Sequence, residues 1–204
     1  PGGMLHPSWD KRLAFLIRNR VIPAVSGLSR SSARNRPPNA YQLILLFLAN
    51  AMRESWEEIR LNPFNVEFLG PLPTYSLSRF RRTIFPLVAF VKRPWTFRPN
   101  PEVDKVIEIP LARFLDAKNY AWFTISSAYA PGTAVEERGD FPCFVYQDDD
   151  AREEILWGAT FKIIMNFMKI AFDFSMPAIR ADKQYSRVLT EEYATGQPRP
   201  VKGG

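Results

Sequence analysis

The most informative part of the sequence is residues 53–59, Arg53-Glu54-Ser55-Trp56-Glu57-Glu58-Ile59. On a helix, at about 100° per residue, Glu54, Glu57 and Glu58 fall within one arc of roughly 100°. Three like charges at this spacing repel one another by a few tenths of a kcal/mol per pair, so they need solvent, a basic partner or a cation. Arg53 can pair with Glu57 four residues on, and hard cations such as Mg²⁺ take oxygen ligands. The alternative is an ordinary solvated face of a charged helix.

This stretch closes the first of two long helices that the sequence predicts. Asn39 is a candidate cap for a helix over residues 40–60, which Asn62-Pro63 stops. A second helix is predicted over residues 153–174, where apolar side chains recur at helical spacing. Upstream of the first helix, residues 11–25 predict a short basic amphipathic helix, and residues 26–39 predict a polar linker.

Strands are predicted between and after these helices. Period-two alternation and short apolar runs indicate them at residues 66–69, 84–91 (buried, despite Pro86) and 103–109, with a hairpin of 121–125 and 141–146. A short helical turn is expected over 111–116, and a loose polar tail over 177–204. Strands with two long helices and no regular β-α-β alternation predict an α+β sandwich.

Composition excludes several classes of protein. The 204 residues suffice for one domain with a core, and 46% hydrophobic and 24% charged residues exclude a disordered or collagen-like chain. Cys143 is the one cysteine and His6 the one histidine, which excludes a disulfide framework and cysteine- or histidine-rich metal sites. Metal chemistry would have to use carboxylates. A single cysteine also fits a reducing compartment.

The net charge of +6 favours anionic partners, and most of it comes from the N-terminal fifth. Residues 1–40 hold seven Lys or Arg against one acid, Asp10. A solvated arm is the ordinary interpretation, and a nucleic-acid-binding arm is the alternative. No apolar segment typical of a secretory signal follows the start, and the longest apolar run, residues 41–51, is too short for a transmembrane segment. We expect a cytoplasmic protein.

The sequence of residues 53–61, Arg-Glu-Ser-Trp-Glu-Glu-Ile-Arg-Leu, resembles the helical half of the Nudix box. The family pattern is Gly-x5-Glu-x7-Arg-Glu-U-x-Glu-Glu-x-Gly-U, where U is a bulky apolar residue. Its Arg-Glu, Glu-Glu and final apolar positions are matched here by Arg53, Glu54, Glu57, Glu58 and Leu61. Ser55 stands at the first apolar position and Arg60 at the terminal glycine, so the usual helix-ending glycine is missing.

The first half of the box resembles residues 1–8, Pro-Gly-Gly-Met-Leu-His-Pro-Ser. Counting Gly-x5-Glu from Gly3 reaches Trp9, with Asp10 next to it, and Trp9 lies 44 positions before Arg53, where the pattern has 8. The excess of about 36 residues covers roughly residues 11–46. The family also places strands before the box, so we interpret the chain as truncated and carrying an insertion. The predicted domains are 1–10 (first part of the box), 11–46 (basic insertion), 47–176 (Nudix-like domain) and 177–204 (tail).

Three downstream segments, residues 85–91, 100–111 and 156–160, are similar to the coenzyme A diphosphatase branch of the family. From the residues alone, the same segments are also explained as a core strand, strand-end carboxylates and helix packing. The resemblance implies a Nudix-like α/β/α sandwich with a mixed sheet, incomplete at its N-terminus.

The resemblance also implies an activity: Mg²⁺- or Mn²⁺-dependent hydrolysis of a diphosphate, with coenzyme A or a derivative as the small-molecule substrate. Glu54, Glu57 and Glu58 would hold the metal with the backbone of Gly3, Glu54 would also be the base, and Arg53 would position the carboxylates. For the substrate phosphates we consider Arg79, Arg81 and Arg82, with a solvated loop as an equal alternative. Glu102 is a candidate extra ligand, although a solvated carboxylate is favoured.

Two rival hypotheses stay open. One is a catalytically impaired Nudix-like remnant, favoured by the split box. The other is a nucleic-acid-binding module that uses the basic arm, which is disfavoured because the arm has few interleaved aromatic residues and no nucleic-acid motif. A homodimer is left open as well.

Overall fold

The chain forms two compact units, Pro1–Ile107 and Glu108–Gly204, where its length predicts one domain. Each unit has its own buried apolar clusters, so each has its own core. The computed structural model describes residues 3–27, 37–77, 82–127, 137–148, 152–179 and 184–189. Its helices and mixed sheets fit the predicted α+β class. Within the described residues, no helix combines the length and the apolarity needed to cross a bilayer.

Two helices stand out in the described part of the first unit. Helix α1 spans Pro7–Arg18 and helix α2 spans Pro38–Ile59, close to the predicted 40–60. Helix α1 begins four residues earlier than predicted, with Pro7 at its first position, where a missing N–H is harmless. Both helices cross predicted domain limits, at residues 10 and 46, and those limits stay predictions.

The N-terminal basic segment is part of the core over its described residues, so the solvated-arm interpretation is wrong there. Ile17 of α1 is 1% exposed and Ala24 is 0% exposed. They belong to one apolar cluster with residues of α2 and the first strand, among them Leu48, Met52 and Phe68. The backbone N–H of Phe68 donates to the carbonyl of Ala24 at 2.7 Å. The cations of α1 are the solvated face of a helix whose other face is buried.

Four short strands follow α2 among the residues of the first unit that the structure describes. Strand β1 (Val66–Pro71) pairs antiparallel with β4 (Leu87–Val91), and β2 (Tyr75–Leu77) pairs antiparallel with β3 (Arg82–Ile84). The predicted single buried strand over 84–91 is therefore wrong. Pro86 has no N–H to donate, and the chain leaves the ladder between β3 and β4. Strand β4 is also not fully buried, since Phe90 is 55% exposed.

The predicted strand over 103–109 does not form. The chain turns instead at Asn100, whose side-chain oxygen accepts from the N–H of Glu102 at 2.9 Å and whose carbonyl accepts from Val103 at 3.0 Å. This local turn uses donors that a ladder would need, and no described strand pairs with the segment.

The described part of the second unit contains a four-stranded mixed sheet and one long helix. Two 3-10 turns (Leu111–Leu115 and Ala117–Asn119) precede the sheet, and the first confirms the predicted helical turn. The strands are β5 (Tyr120–Ser127), β6 (Glu137–Gln147), β7 (Glu153–Leu156) and β8 (Gln184–Leu189), in spatial order β7-β6-β5-β8. Strands β5 and β6 form the predicted antiparallel hairpin, whereas β8 joins β5 in parallel.

Two expectations for the second unit are wrong. Residues 153–156 are strand β7, and helix α3 spans only Gly158–Phe172. Trp157 is extended and Gly158 has a φ of 67°, so the helix cannot extend further upstream. The predicted tail contains strand β8, while residues 190–204 lie outside the described part of the chain.

Cys143 provides a pH test of the second core. It is fully buried on β6, its Sγ donates to the carbonyl of Ala121 at 3.3 Å, and burial raises its pKa to about 11. Because the folded pKa lies above the unfolded value, this group stabilises the fold below about pH 9, and the contribution is lost as the pH rises through 11. We expect urea denaturation to show a larger fall in unfolding free energy from pH 8 to pH 10 for the wild type than for Cys143→Ala. Equal falls would contradict the burial of the thiol.

Candidate active site

Arg53 joins two segments that are far apart in the sequence. Its Nε donates to Oδ1 of Asp10 at 2.9 Å, across 43 residues. Its two other nitrogens reach Glu57 Oε2 at 2.8 Å and Glu54 Oε1 at 2.7 Å. A guanidinium suits this arrangement because its donors lie in a rigid planar fork. The pairing of Arg53 with Glu57 forms as the helical spacing predicted.

Asp10 is the residue of this site that sequence reasoning missed. Its side chain is 0% exposed and accepts from Arg53, from the backbone N–H of His6 at 2.6 Å and from Asn50 Nδ2 at 3.3 Å. Its hydrogen bond raises the pKa of Arg53, helped by the charges of Asp10, Glu54 and Glu57. The count along the box reached Trp9, which is 59% exposed. The available signal was that Asp10 lies seven residues before the buried Ile17, on the same helix face.

The chain before α1 closes over the same helix. The carbonyl of Met4 accepts from Asn50 Nδ2 at 3.1 Å and from Arg53 Nη2 at 3.3 Å. Gly3 lies directly against Glu54, since a Cβ at Gly3 would come within 2.4 Å of Glu54 Oε1. Only glycine fits here without displacing that carboxylate. Residues 3–10 and 50–57 therefore form one site, although the intervening chain separates them.

The carboxylates differ in their surroundings. The Glu54 side chain is 15% exposed, whereas that of Glu57 is 51% exposed. Glu58 is half-buried, and its backbone carbonyl accepts from the N–H of Asn100 at 2.7 Å. Glu102 follows that turn and is exposed. The exposure of Glu102 fits an extra metal ligand and a solvated carboxylate equally, so a ligand role for Glu102 stays a prediction.

The side chains of Glu54, Glu57 and Glu58 are suitable ligands for a hard cation such as Mg²⁺, because they offer only oxygen atoms. Arg53 contacts one oxygen of Glu54 and one of Glu57. Across the described ranges, no three His, Cys, Asp or Glu side chains are gathered as a metal cluster. The ligand set of Glu54, Glu57, Glu58 and Gly3 therefore stays a prediction.

Helix α2 ends at Arg60 in a left-handed conformation with a φ of 57°, at the position where the box has glycine. The N–H of Arg60 donates to Trp56 and that of Leu61 to Ser55, both at 3.1 Å. The helix therefore ends at the position that the box predicts, but with an arginine, which is strained in the left-handed conformation.

The strain at Arg60 can be measured by comparing two truncations. We expect Arg60→Gly to be more stable than Arg60→Ala by about 1 kcal/mol in urea denaturation, because both remove the guanidinium and only glycine tolerates a positive φ. The same pair at Lys11, inside α1, should give the opposite order by a similar amount. The same order at both positions would contradict the left-handed stop.

The predicted phosphate-binding arginines are not brought into this site by the described structure. Arg79 and Arg81 lie outside the described residues, and for Arg82 only the backbone position in β3 is described. Their role stays a prediction.

No family model matches the chain. Over 82 residues, it is 38% identical to a peroxisomal coenzyme A diphosphatase of Caenorhabditis elegans. Part of this chain is similar to a coenzyme A diphosphatase. The match covers 39% of this chain and 34% of the relative, so the chain spans about a third of the length of that protein.

Proposed function

We propose that this chain is a divalent-cation-dependent hydrolase of diphosphate bonds, acting on coenzyme A or a derivative. The observation that carries the proposal is the closure of residues 3–10 onto Arg53 and Glu54, through the buried Asp10 and the contact with Gly3. The partial similarity to a coenzyme A diphosphatase supports the choice of substrate. That relative is peroxisomal by name, and a cytoplasmic location for this chain stays a prediction.

In this proposal, the residues of the site are either positioning residues or metal ligands. Asp10 orients Arg53, and Arg53 holds Glu54 and Glu57 at one end of α2, so both are positioning residues. Glu54, Glu57 and Glu58 would hold Mg²⁺ or Mn²⁺, and Glu54 would take the proton from the attacking water. The cation, when bound, neutralises charge on the diphosphate and lowers the pKa of that water.

The reaction adds one water across the diphosphate. The water oxygen bonds to one phosphorus, and the bond between that phosphorus and the bridging oxygen breaks. Coenzyme A would give 4′-phosphopantetheine and adenosine 3′,5′-bisphosphate. Glu57 is exposed and so accessible to a cation from solvent, whereas the buried Asp10 is shielded from it.

The direct test is turnover. We expect the purified chain to cleave coenzyme A in the presence of Mg²⁺, to stop when EDTA removes the metal, and to resume when Mg²⁺ is restored in excess. Chromatography of the two products measures the rate, and circular dichroism shows that the sample is folded. A folded sample without turnover in Mg²⁺ and in Mn²⁺ would contradict the proposal.

A catalytically impaired remnant is the second candidate, and one observation favours it. Arg53 engages both Glu54 and Glu57, and in the part of the chain that the structure describes no three His, Cys, Asp or Glu side chains are arranged so that they could hold a metal ion. Titration with Mn²⁺, followed by its electron paramagnetic resonance signal, separates the two. An active site binds Mn²⁺ and loses it in Glu57→Gln, whereas a remnant shows no binding that depends on Glu57.

The nucleic-acid hypothesis loses part of its support. Residues 7–25 pack into the core through side chains such as Ile17 and Val25, so they are not a separate arm. Its remaining basis is the exposed cations of α1, such as Lys11 and Arg12, together with the segment 28–36, which lies outside the described residues. The hypothesis stays a prediction.

A further inference from the structure

A cavity of about 410 Å³ lies in the first unit, just beyond the end of helix α2. Its volume falls in the range of roughly 300–1,000 Å³ that is usual for small-molecule sites. The wall comes from two segments, the turn after α2 and the chain after β4: Asn62, Phe64, Asn65, Lys92, Arg93, Pro94 and Trp95. None of these residues belongs to the site around Arg53.

The backbone of this cavity is fixed by Asn65, which is 8% exposed. Its side chain donates to the carbonyl of Arg93 and accepts from the N–H of Arg93, both at 3.0 Å. Its own carbonyl accepts from the N–H of Lys92 at 2.9 Å. Trp95 is tied to the end of α2, because its Nε1 donates to the carbonyl of Arg60 at 3.0 Å. The two walls are therefore held together before any ligand arrives.

The lining combines positive charge with aromatic surface. Lys92 and Arg93 are exposed, and no acidic residue lines the cavity. Phe64 is 53% exposed and Trp95 is 36% exposed, so both rings are accessible. Cations that attract phosphate and aromatic faces that stack on bases are two features by which proteins hold nucleotides.

The helix end next to the cavity does not repel an anion as an open helix end would. Carbonyls at a helix C-terminus carry partial negative charge. Here the last two accept backbone hydrogen bonds from the segment that follows the cavity: Glu58 from Asn100 at 2.7 Å and Ile59 from Arg98 at 3.0 Å. The same bonds fasten this segment to the helix that carries Glu57 and Glu58.

We propose that this cavity binds a phosphorylated nucleoside, with Lys92 and Arg93 on the phosphates and Phe64 and Trp95 on the base. The choice of adenosine 3′,5′-bisphosphate as the nucleoside rests on the proposed function, because that group is one half of coenzyme A. The cavity then holds the nucleotide half of the substrate while its diphosphate is cleaved beside α2.

The test is isothermal titration calorimetry of the full chain with adenosine 3′,5′-bisphosphate, without metal. We expect binding that weakens at least tenfold in Lys92→Ala/Arg93→Ala and about tenfold in Phe64→Ala, and that falls as salt rises. Lys11→Ala, a cation removed from α1, should bind like the wild type. Unchanged affinity in the Lys92 and Arg93 variant overturns the proposal. So does equal affinity for inorganic phosphate, which would mark a simple anion site.

The two proposals fail in different ways. Glu57→Gln should lose turnover but retain bisphosphate binding, which supports the cavity independently of catalysis. If the wild type binds the bisphosphate through Lys92 and Arg93 but does not hydrolyse coenzyme A, the proposed function fails and the cavity stands. If it hydrolyses coenzyme A with a KM that is unchanged in Lys92→Ala/Arg93→Ala, the cavity proposal fails and the function stands.

Discussion

Replacing Glu57 by Gln is expected to lower kcat/KM for coenzyme A at least about 100-fold, which corresponds to about 2.7 kcal/mol of transition-state stabilisation. The variant keeps the size of the side chain and removes the charge that would bind the cation. Charge stabilisation by a bound metal amounts to several kcal/mol, so the loss of one ligand should be large. The fold should hardly change, because Glu57 is 51% exposed and its pairing with Arg53 is an exposed contact.

Glu67→Gln is the matched control for this experiment. Glu67 lies on β1, half-buried, in the same unit and outside the proposed site. We expect it to keep the wild-type rate under the same conditions. If Glu57→Gln also keeps that rate in an active enzyme, the assignment of the metal ligands to this helix is wrong.

Replacing Arg53 by Met is expected to lower the free energy of unfolding by about 3 kcal/mol. Met keeps the apolar stem and removes the guanidinium, which leaves the carboxylate of Asp10 charged, fully buried and without its cation. This loss lies at the lower end of the range that is usual when one partner of a buried ion pair is removed. The reason is that Arg53 is 18% exposed and Asp10 keeps hydrogen bonds from His6 and Asn50. Urea denaturation followed by circular dichroism measures the change.

Lys11→Met on α1 controls for the loss of a cation on the surface. Lys11 is exposed, and its replacement should change the free energy of unfolding by no more than about 0.5 kcal/mol. Arg53→Lys should fall between wild type and Arg53→Met, because an ammonium keeps the charge but cannot span Asp10, Glu54 and Glu57 at once. A loss in Arg53→Met as small as in Lys11→Met would contradict a buried ion pair.

The parts of the fold that the sequence predicted well are those with local causes. Helix α2 was placed within two residues at each end, and Asn62-Pro63 is the signal for its C-terminal end. The predicted cap Asn39 is wrong, because the N-cap is Pro37 and Asn39 lies inside the helix. The hairpin of β5 and β6 followed from two apolar strand patterns on either side of a segment that contains Gly132 and Gly139. Strands β7 and β8 were missed because their pairing partners, not their own residues, make them strands.

The contacts of the candidate site likewise divide into those that local spacing predicts and those that depend on tertiary structure. The arc of Glu54, Glu57 and Glu58 and the pairing of Arg53 with Glu57 followed from helix geometry. The pairing of Arg53 with Asp10 did not, because no spacing rule connects residues 43 positions apart. The amphipathic helix was predicted from residue 11, whereas α1 begins at Pro7, so Asp10 was left outside the predicted helix and its buried face.

A double-mutant cycle between Asp10 and Arg53 measures directly whether residues 3–10 close onto helix α2. The cycle compares the free energies of unfolding of four proteins: the wild type, Asp10→Asn, Arg53→Met and the double variant. It gives the coupling energy of the pair and does not require that the protein be catalytically active. We predict a coupling of at least about 1.5 kcal/mol, as close charge pairs with little solvent give. A coupling near zero would mean that residues 3–10 do not close onto helix α2 in solution, and that the two parts of the box do not form one site.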